Sequence, residues 1–122
     1  GQAHHFRNYA AEKMEYPIER YTNESGRLYR ILDTHLAKNR YLAGNVYTIA
    51  DIATFPWCRS PERRGQDIET FPNLKRWMEE IQSRPAVGKA LDILKEHQSK
   101  PSDIIDEKTR SIMFGAKQFE KR

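Results

Sequence analysis

An all-α helical bundle of about five helices is the fold that the sequence predicts, on three observations. Apolar residues return at three- and four-residue steps from Ile18 to Leu36 and again from Leu74 to Ile81, the period of a helix with one buried face. The stretch from Ile49 to Cys58 is apolar almost throughout and opens on a helix-capping sequence, Thr48-Ile49-Ala50-Asp51. No segment alternates apolar and polar residues as a half-buried strand would.

Taken in order, Gly1 to Tyr9 has the composition of a helix end running into a loop. The first long helix is expected from Pro17 to about Lys38, with Pro17 tolerated in its first turn. Its core stripe is Ile18, Tyr21, Ser25, Leu28, Tyr29, Leu32, His35 and Leu36. Gly26 interrupts that helix at a cost of about 1 kcal/mol against alanine, so a close neighbouring helix is expected there. Asn39-Arg40 and Gly44-Asn45 are turn residues, with Tyr41 and Leu42 tucked between them into the core.

Thr48 then caps the central helix, and Asp51 returns a carboxylate to the free backbone N–H at its start, a variant of the capping box. Tyr47 and Ile52 are spaced to pack as a hydrophobic staple. Because almost no position from Ile49 to Cys58 is charged, this helix is expected to be surrounded by others. Pro56 cannot donate to the carbonyl of Ile52, which places a kink or an end nearby. Arg59 to Gln66 reads as a polar loop. A helix from about Asn73 to Ser83 follows, with Leu74, Trp77, Met78 and Ile81 inward, and Pro85 opens the next, with Val87, Leu91 and Leu94 inward. Residues 1–99 form the domain on this reading. Lys100-Pro101-Ser102-Asp103 breaks the pattern, and residues 100–122 are a charged tail whose apolar clusters, Ile104-Ile105 and Ile112-Met113-Phe114, can dock on the domain or on a partner.

The 122 residues make one domain, long enough to bury a core. No apolar run approaches the ~20 residues that span a bilayer, and the start is not a signal peptide, so a cytoplasmic protein without membrane contact is expected. The net charge of +4 is spread among acidic residues except at Arg59 and Arg63-Arg64, which gives no coherent face for nucleic acid. Cys58 is the single cysteine and reads as a buried structural residue. No metal site is expected: His4 and His5 are adjacent and point about 100° apart on a helix, while His35 and His97 lie in other segments. Nor is there a Gly-rich phosphate loop, a zinc-protease helix or a nucleophile elbow.

The Thr48-x-x-Asp51 cap, preceded by Tyr41-Leu42-Ala43-Gly44 and followed by Phe71-Pro72-Asn73-Leu74 and Arg84-Pro85-Ala86-Val87, resembles the C-terminal helical domain of glutathione transferases. The resemblance runs from Gly1 to about Leu91. Gly1-Gln2-Ala3-His4-His5-Phe6 together with Ile18-Glu19-Arg20-Tyr21-Thr22-Asn23-Glu24 is similar to the bacterial nu-class members and to the related fungal nitrogen-regulation prion protein.

That resemblance implies a cytosolic homodimer using glutathione as cosubstrate for conjugation to electrophiles or for disulfide reduction. It also implies an N-terminal thioredoxin-like domain, absent from this chain, whose Thr and Asn residues contact the glutathione sulfur. The chain alone is then inactive and has no catalytic residue of its own. The matching glutathione-binding residue is Arg20, whose guanidinium can hold a carboxylate through two parallel hydrogen bonds. Spacing alone favours a surface pair of Arg20 with Glu24 over the ligand role. His4, His5 and Phe6 match the helix end that borders the cleft for the electrophile or a second glutathione, with ordinary packing the alternative for Phe6. Trp57 is placed either at the floor of that pocket or in the core. A noncatalytic interaction or regulatory module on the same fold is the rival reading.

Overall fold

A computed structural model describes residues 1–97 and 106–119. Among them are six α-helices: α1 (Gln2–Asn8), α2 (Glu15–Leu36), α3 (Ile49–Cys58), α4 (Pro72–Gln82), α5 (Pro85–His97) and α6 (Glu107–Phe114). Short 3-10 turns occupy Glu62–Arg64, Ile68–Thr70 and Ala116–Phe119. The only β-type pairing among the described residues is a bridge between Tyr41 and Gly44 that closes the turn before α3. The chain is therefore all-α. No helix of the described residues is long and apolar enough to cross a membrane. The predicted break at Lys100 to Asp103 and the Ile104-Ile105 cluster lie outside the described residues.

The core is built where α2, α3 and α4 meet. Tyr29 and Leu36 come from α2, Phe55 and Cys58 from α3, and Leu74, Trp77 and Ile81 from α4, with Tyr41 and Phe71 closing the ends. The α4 stripe is as the spacing predicts. The α2 stripe is narrower: Tyr29 and Leu36 are buried, but Leu28 is 47% exposed and His35 also faces outward, its imidazole nitrogen meeting the carbonyl of Leu42 at 3.0 Å. On α5, Val87 and Leu91 are half-buried whereas Leu94 is exposed.

Helices α2 and α4 also cap one another. The Asp33 carboxylate accepts from the backbone N–H groups of Asn73 and Leu74 at 2.8 and 3.0 Å, satisfying two free donors at the start of α4. In return Arg76 donates to the carbonyls of Leu36 and Asn39 at 3.0 and 3.2 Å, where α2 ends. A carboxylate at a helix start and a guanidinium at a helix end both oppose the helix dipole, so the exchange stabilises each terminus.

The start of α3 is densely hydrogen-bonded. Thr48 Oγ1 accepts from Ala50 N at 3.2 Å, and Asp51 Oδ2 accepts from Thr48 N at 2.9 Å, completing the predicted capping box. Asp51 is 0% exposed and its other oxygen accepts from Leu42 N at 3.0 Å and Trp77 Nε1 at 2.8 Å. Burial alone would raise its pKa, but these donors outweigh it and hold the carboxyl below its ordinary value.

One expectation for α3 is corrected. The helix is not surrounded: Ile49 is 83% exposed, Ile52 55% and Trp57 64%, so one apolar face is bare. Uncharged sequence reports that a surface seeks cover and leaves open what covers it. The Tyr47 ring packs against Tyr41 and beneath the Arg84 guanidinium, 3.9 Å from its centroid. The position of Pro56 is consistent with the expected stop, since α3 ends at Cys58.

Cys58 is buried as predicted, and desolvation pushes its pKa up to about 11. The shift from the ordinary 9.0 lowers the thiolate fraction ~100-fold at neutral pH. Native protein is therefore expected to react with a disulfide reagent at pH 8 at least ~100-fold more slowly than protein unfolded in urea. Equal rates before and after unfolding would show that the thiol is accessible in the native state.

Candidate functional site

The chemistry-bearing residues gather where α1 crosses the first third of α2. Helix α1 is only seven residues long and is held from outside. Asn8 Nδ2 donates to the carbonyl of Arg63 at 3.1 Å, tying α1 to the Glu62–Arg64 turn. The Phe6 ring stacks on Tyr21 of α2 with centroids 5.5 Å apart and planes 4° from parallel. Arg7 reaches toward Thr22 Oγ1 at 3.4 Å. Gly65 makes this approach possible. It ends the Glu62–Arg64 turn with φ of 70°, and a Cβ there would lie 2.8 Å from the Arg7 guanidinium.

The same loop explains Gly26. Its neighbour is the Gln66 side chain rather than a helix, with Oε1 2.9 Å from where a Cβ would stand, and Gln66 Nε2 donates to the carbonyl of Thr22 at 2.8 Å. The segment from Arg59 to Gln66, predicted as a plain loop, thus contains a 3-10 turn that locks α1 and α2 together.

Arg20 lies on the exposed side of α2, next to Tyr21. The alternative pairing with Glu24 is not formed. Arg27 takes both Glu24 oxygens, at 2.7 and 2.8 Å, and this hydrogen-bonded pairing holds Glu24 below its ordinary pKa. Among the described residues Arg20 has no hydrogen-bond or ion-pair partner. Its guanidinium is open to a ligand.

His4 and His5 are half-buried on α1. The pKa of His4 is lowered, first by burial and then by the positive charges of Arg64 and Arg63. His4 therefore stands neutral at pH 7, able to donate or accept a hydrogen bond. His5 meets Phe6 edge-on and Phe114 of α6 edge-on, at 5.1 and 4.6 Å. The structure thus brings together His4, His5, Phe6 and the Arg20–Tyr21 segment. Trp57 stands apart: it is exposed on α3, outside the core, and makes no ring contact with His4, His5 or Phe6 among the described residues.

A cleft of about 560 Å³ opens beside this region, lined by Asn23, Arg27, Arg30, Asp33, Gln66 and Phe71 among others. None of the predicted site residues lines it, and of its charged groups Arg27 is bonded to Glu24 and Asp33 to the α4 start, which leaves Arg30. Sequence reasoning missed Tyr21, Asn8 and Gln66 as organisers of the site. Only Gly65, following Arg63-Arg64 as a left-handed stop, carried a local signal.

The family model for the glutathione S-transferase C-terminal domain matches residues 6–85, from the last turn of α1 to the start of α5. The chain is a glutathione S-transferase C-terminal domain. Disulfide-bond oxidoreductase YfcG of Escherichia coli is 45% identical over 91 residues, covering 75% of this chain and 42% of its own length. Transcriptional regulator URE2 of Saccharomyces cerevisiae is 32% identical, with 75% and 35% covered.

Among solved structures, Ure2p in complex with S-hexylglutathione superposes with a TM-score of 0.70 at 38% identity, over 75% of this chain and 46% of that one. A glutathione transferase from Burkholderia graminis with two glutathione molecules bound per subunit gives 0.68 at 37% identity, over 75% and 41%. This domain therefore spans less than half the length of these relatives.

Proposed function

We propose that this domain is the helical half of a cytoplasmic, homodimeric protein that uses glutathione to conjugate electrophiles or reduce disulfides. In this reading residues 1–99 are the domain and 100–122 its tail, and Arg20 holds a glutathione carboxylate. His4, His5 and Phe6 border the cleft for the electrophile or a second glutathione, and Trp57 belongs to its floor once the rest of the protein is in place. Glutathione supplies the reacting thiol. A thioredoxin-like domain outside this chain supplies the groups that contact it, and the chain alone is inactive.

The observation that carries the reading is the uncommitted guanidinium. Arg20 is exposed on α2, next in sequence to the Tyr21 on which Phe6 of α1 stacks, and Glu24 is bound elsewhere. A dicarboxylate fits that chemistry. The glutathione-bound relatives support the choice of ligand, and the bare face of α3 supports a missing neighbour. That face suits the noncatalytic regulatory module equally well, so the decision rests on Arg20.

Arg20→Ala, made in the protein that carries the thioredoxin-like domain, is expected to weaken glutathione binding ~10- to 100-fold in a calorimetric titration. This corresponds to losing charge-assisted hydrogen bonds worth about 1.5–3 kcal/mol. Affinity equal to that of the unmodified protein would remove the ligand role and favour the regulatory module.

A further inference from the structure

Two clefts share a pair of arginines on α2, and neither is lined by His4, His5, Phe6, Arg20 or Trp57. The first, of about 560 Å³, has Gln66, Thr70 and Phe71 on the side facing α2. The second, of about 520 Å³, includes Thr34 and Lys38 in its lining. Arg27 and Arg30 border both. The two arginines are committed differently. Arg27 donates through Nε and Nη2 to the Glu24 carboxylate, at 2.8 and 2.7 Å, which leaves its Nη1 edge. Arg30 is exposed and has no hydrogen-bond or ion-pair partner among the described residues. Asp33, the one acid lining the first cleft, accepts from Asn73 N, Leu74 N and Asn73 Nδ2 at 2.8, 3.0 and 3.2 Å, so its charge is turned to the start of α4. Among the described residues no acid lines the second cleft.

We propose that Arg30 anchors a binding site for a small phosphate monoester, with the phosphate at Arg30 and the organic part in the cleft between α2 and Gln66. The fork of one guanidinium satisfies the two oxygens of a carboxylate. Arg27 Nη1, one helical turn away on the border of the same cleft, calls for a third acceptor, which a phosphate has. Lys38, across the second cleft, adds a positive charge that favours the doubly ionised group. The organic part meets polar walls. Asn23 lines the cleft two turns before Arg30 on the same side of α2, with its amide free of any hydrogen bond among the described residues. Gln66 is fixed opposite, because its Nε2 donates to the carbonyls of Thr22 and Arg64 at 2.8 and 3.2 Å. A Cβ at residue 26 would stand 2.9 Å from Gln66 Oε1, so Gly26 keeps that wall in place. The volume lies within the range of ~300–1,000 Å³ usual for small-molecule sites. Arg20 lines neither cleft, so this site is independent of the glutathione reading.

The test is a titration of the full 122-residue chain with glycerol 3-phosphate, followed through backbone amide shifts. Shifts are expected at Asn23, Gly26, Arg27, Arg30 and Gln66, and not at Lys89 or Lys117, exposed cations that line neither cleft. Arg30→Ala is expected to weaken binding ~10- to 100-fold, as for the loss of charge-assisted hydrogen bonds. Its urea midpoint stays unchanged, because the Arg30 side chain holds no other group. Arg30→Lys keeps the charge but loses the fork, and its affinity falls between the two. Lys89→Ala leaves binding as it was. No shifts, shifts of equal size at Lys89 and Lys117, or undiminished affinity in Arg30→Ala would overturn the site. Equal affinity for glycerate, the carboxylate counterpart, would overturn the phosphate assignment.

Discussion

Replacing Asp51 with alanine is expected to destabilise the domain by about 3–5 kcal/mol, the sum of leaving several buried donors without their acceptor. A helix cap alone is worth about 1 kcal/mol. Asp51 does more than cap: its carboxylate accepts from Thr48 N, Leu42 N and Trp77 Nε1 while fully buried. Removing it strands these donors away from water, at about 1–3 kcal/mol for each one left unsatisfied. The midpoint of urea unfolding checks the sum. A loss of only ~1 kcal/mol would mean that water or backbone shifts satisfy Leu42 and Trp77, and that Asp51 is a cap and nothing more.

The same carboxylate gives the domain an acid limb. Its folded-state pKa lies below the unfolded value of 3.8, so the unfolded chain binds more protons in that interval. The contribution is fully present well above pH 4 and is lost as pH falls through the folded value. Glu80 acts in the same direction: burial raises its pKa, but hydrogen bonds from Tyr41 at 2.6 Å and Arg40 at 2.7 Å prevail and lower it.

How much of this was legible in the sequence follows the range of each interaction. The capping box of α3, the α4 stripe and the burial of Cys58 depend on neighbours within a few positions, and residue type and spacing record them. Asp33 capping α4 and Arg76 capping α2 act across about forty positions, where spacing carries no signal. The bare face of α3 was misread because apolar composition reports a need for cover without naming the cover. At the site, the residue types were legible and the pairings were not. Arg20 is open because Glu24 turned to Arg27, and both partners stand at ordinary helical spacing from it.

Trp77→Ala is expected to cost about 4–5 kcal/mol, near the upper end for emptying a buried aromatic site, because the residue is fully buried against Phe55. Trp77→Phe separates the two parts of that cost. It keeps most of the apolar contact and removes the indole N–H from Asp51 Oδ1, a hydrogen bond to a charged group worth about 1.5–3 kcal/mol. Because Asp51 and Trp77 share that bond, their substitutions are not independent. The Asp51→Ala, Trp77→Phe double variant is expected to be more stable than the sum of the single losses by at least ~1 kcal/mol. The acid limb supplies a second readout. With one donor gone, the folded-state pKa of Asp51 rises toward its unfolded value, so the stability of Trp77→Phe falls less steeply below pH 4. Strict additivity with an unchanged acid limb would mean that the Trp77–Asp51 bond contributes nothing, and that α3 and α4 are joined by apolar packing alone.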